Sequence, residues 1–329
     1  MSSTGVAYVS YDSYDEGLDT WLVHFGYYDG SGYHQLTSID AGSCGGFSAL
    51  ALNENNVPYL AYCMDCNICV AKYENGAFKT VGTITDAEAP SLYVSGTYAY
   101  LAYQYVDEDE EYVTAGFFDN EGVWQGFIRG GFNGFYPKLT GVGNNVYMAF
   151  MDCDTLVAGC FQGENWTILG DFATPICTLG ITLDSSKNFY VAYLKEIAAK
   201  NKMGKEEYLS TVCVNVYKNG SWTYYPEINS QGVILYPYFS GAPAVKNGTV
   251  YLAYSELGFP DYITCTYQVK QYSGSSWQDT GNPSFAPSEN PNCFIASALD
   301  NNGVPHIFCT GPDSNLHLYK YATSKGREH

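Results

Sequence analysis

Short aliphatic runs that end in an aromatic recur along the chain, each preceded by a turn. They read Val-Ser-Tyr11, Leu-Ala-Tyr62, Leu-Ala-Tyr103, Met-Ala-Phe150, Val-Ala-Tyr193 and Leu-Ala-Tyr254, with a degenerate seventh at Ile-Phe-Cys309. The pattern around the second run predicts a complete unit of four strands. Phe47–Asn53 alternates apolar and polar and reads as strand a, Val57–Tyr62 as strand b and Cys69–Tyr73 as strand c. The Asn75-Gly76 hairpin then leads into strand d, Phe78–Ile84. Alternation with period two marks half-buried strands, and Asn-Gly favours a two-residue hairpin turn.

The final residues of the runs are separated by 51, 41, 47, 43, 61 and 55 positions. A repeat of roughly 40–50 residues, each built of strands, predicts a β-propeller and not an ordinary two-layer domain. The units fall near residues 5–39, 47–84, 90–130, 137–170, 177–227, 243–283 and 294–322 of one domain spanning 1–329. The first repeat shows strands b, c and d and the last shows a, b and c. The expectation is an all-β propeller of about seven four-stranded blades with incomplete terminal blades, six blades being the alternative. Incomplete blades leave unpaired edges, which suits a structural or self-assembling subunit.

Strand d carries an aromatic just past a turn in six repeats: Tyr33, Phe78, Trp124, Trp166, Trp222 and Trp277. These are expected to pack between adjacent blades. Through the Gly-x-Trp hairpin and the Tyr-x-Ala-Tyr strand, the chain resembles the repeat propellers of bacterial surface and lectin-like proteins. The resemblance spans nearly the whole sequence and implies a fold. It carries no catalytic residue, and the Trp-Asp and Gly-Gly signatures of WD-repeat and kelch propellers are absent.

Charge narrows the partners. The formal net charge is −19, from 34 acidic and 15 basic residues. Phosphate backbones are bound by Lys/Arg clusters, so nucleic acid and anionic membranes are not expected as partners. A neutral glycan or a basic protein surface fits. No stretch approaches 18 apolar residues, so membrane insertion is not expected. No signal peptide is legible at Met1-Ser-Ser-Thr, and Asn165, Asn219 and Asn247 open glycosylation-type triplets. Localisation stays open between the cytoplasm and, for a chain freed of a leader, the cell exterior.

In a propeller the b–c and d–a loops share a face, where ligands commonly bind. The b–c loops are acidic, including Asp107, Glu110, Glu111, Asp152, Asp154 and Glu256, apart from a lysine-bearing insert at 195–208. The d–a loops carry Phe135, Tyr136, Phe172, Tyr236 and Tyr238. Rings stack on sugar C–H patches and carboxylates accept hydroxyl hydrogen bonds. The ligand-binding candidates are therefore Phe135, Tyr136, Asp152, Asp154, Phe172, Tyr236, Tyr238 and Glu256, in a non-catalytic recognition module.

A glycoside-active enzyme is the minority reading, because surplus carboxylates discriminate nothing. Sialidase chemistry would need three arginines, and the chain has two. Single strand histidines (His24, His34, His306, His317) read as packed, hydrogen-bonded residues. Cys63, Cys66 and Cys69 cluster in one hairpin, and Cys153 and Cys160 flank another. These five are candidates for disulfides or a metal, with Cys63–Cys69 and Cys153–Cys160 as the bridges considered. No cofactor is expected. Zinc lacks a fourth ligand, and Asp107–Glu111 lacks the glycine turn of a helix-loop-helix calcium site.

Overall fold

The computed structural model describes residues 1–29, 31–43, 47–107, 110–127, 131–163, 165–173, 175–200, 206–229, 243–257, 265–280, 295–300, 304–310 and 316–320. These residues contain strands and turns and no helix, so no helix is long and apolar enough to cross a membrane. They form seven antiparallel sheets in chain order, the architecture of a β-propeller.

The first sheet holds β1 (Ala7–Asp15), β2 (Thr20–Tyr28) and β3 (Tyr33–Gly42). The second holds β4 (Ser48–Leu52), β5 (Pro58–Met64), β6 (Asn67–Glu74) and β7 (Ala77–Ile84). The third holds β8 (Glu88–Ser95), β9 (Tyr98–Asp107), β10 (Glu110–Phe118), β11 (Trp124–Gly126) and β12 (Phe132–Asn133). The fourth holds β13 (Phe135–Val142), β14 (Asn145–Asp152), β15 (Thr155–Gln162) and β16 (Asn165–Ala173). The fifth holds β17 (Pro175–Leu183), β18 (Phe189–Lys200), β19 (Glu206–Lys218), β20 (Ser221–Tyr224) and β21 (Ile228–Asn229). The sixth holds β22 (Ala244–Lys246), β23 (Thr249–Leu257), β24 (Cys265–Tyr272) and β25 (Trp277–Asp279). The seventh holds β26 (Ile295–Leu299), β27 (Pro305–Thr310) and β28 (Leu316–Lys320).

Among the described residues the first and last sheets have three strands each, in the b-c-d and a-b-c positions that the repeat predicts. The lysine-bearing insert of the fifth repeat extends the b–c hairpin, with β18 and β19 paired from Phe189↔Tyr217 out to Lys200↔Glu206.

Contacts divide the chain into two compact units. One comprises residues 1–153 and 157–171, the other 154–156 and 172–329. In the first unit, Val23 and Ala41 of the first sheet pack on Leu60 of the second. Ile68 and Val70 pack on Leu92 and Leu101 of the third, and Val113 and Ala115 on Met148 and Phe150 of the fourth. In the second unit, Val212, Val214 and Val216 pack on Val250 and Leu252 of the sixth sheet.

The repeated aromatic has a definite direction within these seams. Tyr62 packs with the first-sheet core, Tyr103 with the second, Phe150 with the third and Tyr254 with the fifth. Each b-strand aromatic thus faces the preceding sheet. Successive strand residues point to opposite faces, so the next residue faces the following sheet: Cys63 joins the core shared with the third sheet and Leu194 the core shared with the sixth. The d-strand aromatics face backward as well. Phe78 lies 5.0 Å from Phe25, and Trp124 lies 5.8 Å from Tyr103 and 5.1 Å from Phe118. Trp277 Nε1 donates to the Pro226 carbonyl at 2.6 Å. A glycine on strand c makes room for two of the indoles. A Cβ at Gly116 would stand 2.7 Å from the Trp124 ring, and one at Gly159 would stand 2.4 Å from the Trp166 ring.

Candidate functional site

Two inner strands of the first unit break register at matching places. The ladder slips between Glu88 and Ser91 on β8, and between Phe135 and Lys138 on β13. Both breaks contain an X-Pro step, Ala89-Pro90 and Tyr136-Pro137. Proline has no N–H to give to the ladder. The residue before it takes a left-handed conformation, with φ of 50° at Ala89 and 54° at Tyr136. Each of these residues turns its N–H toward the preceding sheet.

There the N–H meets the side chain one residue past the repeated aromatic. The Tyr136 amide donates to Gln104 Oε1 at 3.3 Å. The Ala89 amide faces the Cys63 sulfur and opposes the rise of its pKa. In the first sheet the corresponding residue is Asp12, whose Oδ2 accepts from Ser48 Oγ of β4 at 3.1 Å. Asp12 and Gln104 therefore fasten successive sheets by hydrogen bonds, and Cys63 packs at the repeat-equivalent position between them.

Gln104 is the most connected of the three. It is 4% exposed, and its Nε2 donates to Glu111 Oε2 at 3.0 Å and Glu88 Oε1 at 3.4 Å. Strand β9 lies between β8 and β10, which is why one buried amide reaches a carboxylate on each side. Both glutamates are exposed. Tyr136 presents its ring to solvent at 37% exposure, braced edge-on by Phe135 at 5.2 Å. Tyr105 and Tyr112 stack at 5.3 Å. The neighbouring turn is pinned by β12, which pairs Asn133 with Tyr112, and by the Gly134 amide, which donates to the Glu111 carbonyl at 3.0 Å. Two exposed carboxylates, a buried amide and an exposed ring thus share one neighbourhood. Such a set can accept hydroxyl hydrogen bonds and stack on an apolar sugar face.

The same row holds two perturbed acids. Burial raises the Asp12 carboxyl to about 6, against the opposing hydrogen bond from Ser48. Burial pushes the Cys63 thiol up to about 12; the Ala89 amide opposes this, and the charges of Glu88 and Asp12 add to it. Cys63 is accordingly a protonated thiol at neutral pH, unsuited to act as a thiolate ligand or nucleophile.

Of the residues singled out from sequence, Phe135, Tyr136 and the half-buried Asp152 lie in the fourth sheet, and Asp154 is exposed in the β14–β15 turn. Phe172 is 5% exposed, stacked on Tyr193 at 5.5 Å and edge-on to Trp222 at 4.9 Å. Tyr236, Tyr238 and the side chain of Glu256 lie outside the described residues; the Glu256 backbone pairs with Thr266.

The two cysteine bridges are corrected, since Cys63, Cys69, Cys153 and Cys160 are free thiols. Cys63 pairs with Ile68 and Tyr62 with Cys69, which sets Cys63 and Cys69 on opposite faces of the sheet. Cys153 is exposed in a turn while Cys160 lies buried five residues beyond Thr155 in β15. At about 3.3 Å per residue that is roughly 17 Å, against the limit of about 7 Å for bridged Cα atoms. Cys66, in the turn between β5 and β6, is disulfide-bonded. Among the described residues no group of three His, Cys, Asp or Glu side chains converges as a metal site. His24, His34 and His306 are hydrogen-bonded or ion-paired, to Ser13 and Ser38, to Asp29, and to Asp300.

Sequence reasoning missed Gln104 and Glu88. The signal was available: an X-Pro step at one repeat position, facing a polar residue just past the repeated aromatic.

No protein-family model matches the chain, and no curated protein matches it. Solved structures do. The Aleuria aurantia lectin in complex with Fucα1-6GlcNAc superposes with a TM-score of 0.54 at 14% identity, over 85% of this chain and 93% of the lectin. Hydrazine synthase of Kuenenia stuttgartiensis gives 0.61 at 10% identity, over 93% of each chain. The β-propeller domain of the trilobed protease from Pyrococcus furiosus gives 0.57 at 6% identity, over 98% of this chain and 91% of that domain. At these identities the likeness establishes the fold: the chain is a β-propeller. The lectin is described as six-bladed, and blade counts of six and seven are both compatible with the neighbours.

Proposed function

We propose that the chain recognises a neutral glycan, bound without turnover at the Gln104 neighbourhood. The carrying observation is the pair of exposed carboxylates, Glu88 and Glu111, joined through buried Gln104, whose Oε1 holds the backbone of the exposed Tyr136. The buried amide fixes the carboxylates before any ligand arrives, which lowers the ordering cost of binding. The excess of negative charge favours neutral over acidic sugars. The propeller shared with the fucose-binding Aleuria aurantia lectin supports a carbohydrate reading and makes fucosylated glycans the first to try.

A glycan array followed by calorimetry tests this. Tyr136→Ala is expected to weaken binding at least tenfold, and Glu88→Ala and Glu111→Ala several-fold each. Binding that persists undiminished in a Tyr136→Ala/Glu88→Ala double variant would place the ligand elsewhere. Failure of the array to show any glycan would remove the reading.

A further inference from the structure

The first sheet carries a second polar constellation, on the face opposite the one that packs on the second sheet. Ser13 on β1, His24 on β2 and Ser38 on β3 lie in a line across three strands. Tyr11 and Ser38 are both register partners of His24, and Ser13 stands two residues beyond Tyr11. Ser13 Oγ is 2.8 Å from His24 Nε2, and His24 Nδ1 is 2.9 Å from Ser38 Oγ. Gln35 Nε2 donates to the same Ser38 oxygen at 2.7 Å, and the Tyr11 ring stacks on the imidazole at 4.6 Å. Ser38 is exposed, and Ser13 and His24 are half-buried.

We propose that Ser13 is a nucleophile activated by His24 and acylated by activated esters. A hydroxyl within hydrogen-bond reach of a base, with the base held by a third group, is the geometry of nucleophilic catalysis. Half-burial lowers the His24 pKa, so the ring is neutral and basic at neutral pH. The productive tautomer carries its proton on Nδ1 and donates it to Ser38 Oγ, whose two lone pairs accept from both His24 and Gln35. Nε2 is then free to accept from Ser13. Ser38 and Gln35 are positioning residues, and Tyr11 restrains the ring plane.

The step balances without an external oxidant or reductant. Ser13 Oγ attacks the ester carbonyl as its proton passes to His24 Nε2. The carbon–oxygen bond to the leaving group breaks, and the leaving alcohol or phenol takes that proton. Water then attacks the acyl carbon as His24 Nε2 takes its proton; the bond from that carbon to Ser13 Oγ breaks, the carboxylic acid leaves, and His24 returns the proton to Oγ. Activated esters are the indicated class because good leaving groups demand the least stabilisation of an oxyanion. The inference is independent of the glycan site.

The full chain is treated with a fluorophosphonate probe and with p-nitrophenyl acetate, and the labelled peptide is located by mass spectrometry. One phosphonyl group per chain on Ser13 is expected, with Ser13→Ala abolishing it and His24→Gln slowing it about 10²-fold or more. Ser38→Ala is expected to slow labelling and Ser38→Thr to restore it, a rescue that a merely structural role would not show. The unmodified chain gives a test that needs no variant: labelling falls as His24 protonates at acid pH. On the His24 face the adjoining strands carry Tyr11 on β1 and Tyr33 and Asp40 on β3, with the Tyr33 ring 6.3 Å from that of Tyr11; Asp12, Tyr14 and Asp15 of β1 and His34 of β3 are the other nearby titratable groups. Absence of labelling, labelling at other serines, or a His24→Gln variant of unchanged melting temperature that labels at the wild-type rate would each overturn the proposal.

Discussion

Replacing Gly159 by alanine tests the seam between the third and fourth sheets. The added Cβ would stand 2.4 Å from Trp166 Cζ2, 2.5 Å from Cη2 and 2.5 Å from the Thr167 carbonyl oxygen. Non-bonded carbons rest at about 3.5–4.0 Å, so the indole and the backbone must together retreat by about 1 Å. The indole has little room to do so, with Phe161 at 4.7 Å and Phe132 at 5.8 Å from its centroid. Overpacking of this kind costs about 1–3 kcal/mol. Loss of glycine's freedom in the unfolded chain returns about 0.4–1 kcal/mol. A net loss of about 1–2 kcal/mol is expected. Gly32 is the control, because nothing lies within 4 Å of its added Cβ. Urea unfolding followed by tryptophan fluorescence compares the two variants with wild type. The midpoint should fall for Gly159→Ala and stay or rise for Gly32→Ala. A double-mutant cycle with Trp166→Leu should show positive coupling, since the smaller side chain relieves the clash. An unchanged midpoint for Gly159→Ala, or equal shifts for both glycines, would refute the reasoning.

Three further outcomes are expected. Asp12 has a folded pKa of about 6, above its ordinary 3.8, so the folded state holds this proton more tightly than the unfolded chain does; the Asp12 contribution is most favourable below pH 4 and is lost as pH rises through about 6. Asp12→Asn should therefore stabilise at pH 7 by about 1–2 kcal/mol, after discounting for partial exposure, and by little at pH 4, as read by melting at the two pH values. Gln104→Leu removes the hydrogen bonds that Gln104 makes to Tyr136, Glu88 and Glu111 and should cost about 0.5–1.5 kcal/mol in chemical denaturation. Iodoacetamide should alkylate the exposed Cys153 well before the buried Cys63, whose thiol is pushed up to about 12; peptide mapping of a brief reaction in native buffer reads the order.

The scaffold was largely legible because one physical demand repeats. A strand squeezed between two neighbours needs a large apolar ring on one face and an apolar or satisfied residue on the other, and that demand marks Tyr62, Tyr103 and Phe150 at a glance. The d-strand tryptophans announce themselves for the same reason. The site was less legible, because its residues are joined across strands and sheets. Gln104 meets Glu111 through strand pairing and Tyr136 across a seam, so the X-Pro step that marks the second meeting is informative only once the repeats are aligned. The lysines and glutamates of the long β18–β19 hairpin carry little strand propensity and predict a loop; pairing along the ladder overrides it. Phe172, an aromatic next to a predicted loop, is covered by a neighbouring tryptophan.

The forward residue of each b strand has one more consequence. Tyr62 and Cys63 are adjacent in sequence yet serve different seams, one behind and one ahead. Changing the second of such a pair alters a single seam and leaves the ring that anchors its own strand untouched. Duplicated units of this kind can therefore diverge one junction at a time, carrying an acid at residue 12, a thiol at 63 and an amide at 104 on an unaltered frame. Chemistry in this protein is written at the joints, where a substitution answers to one neighbour only.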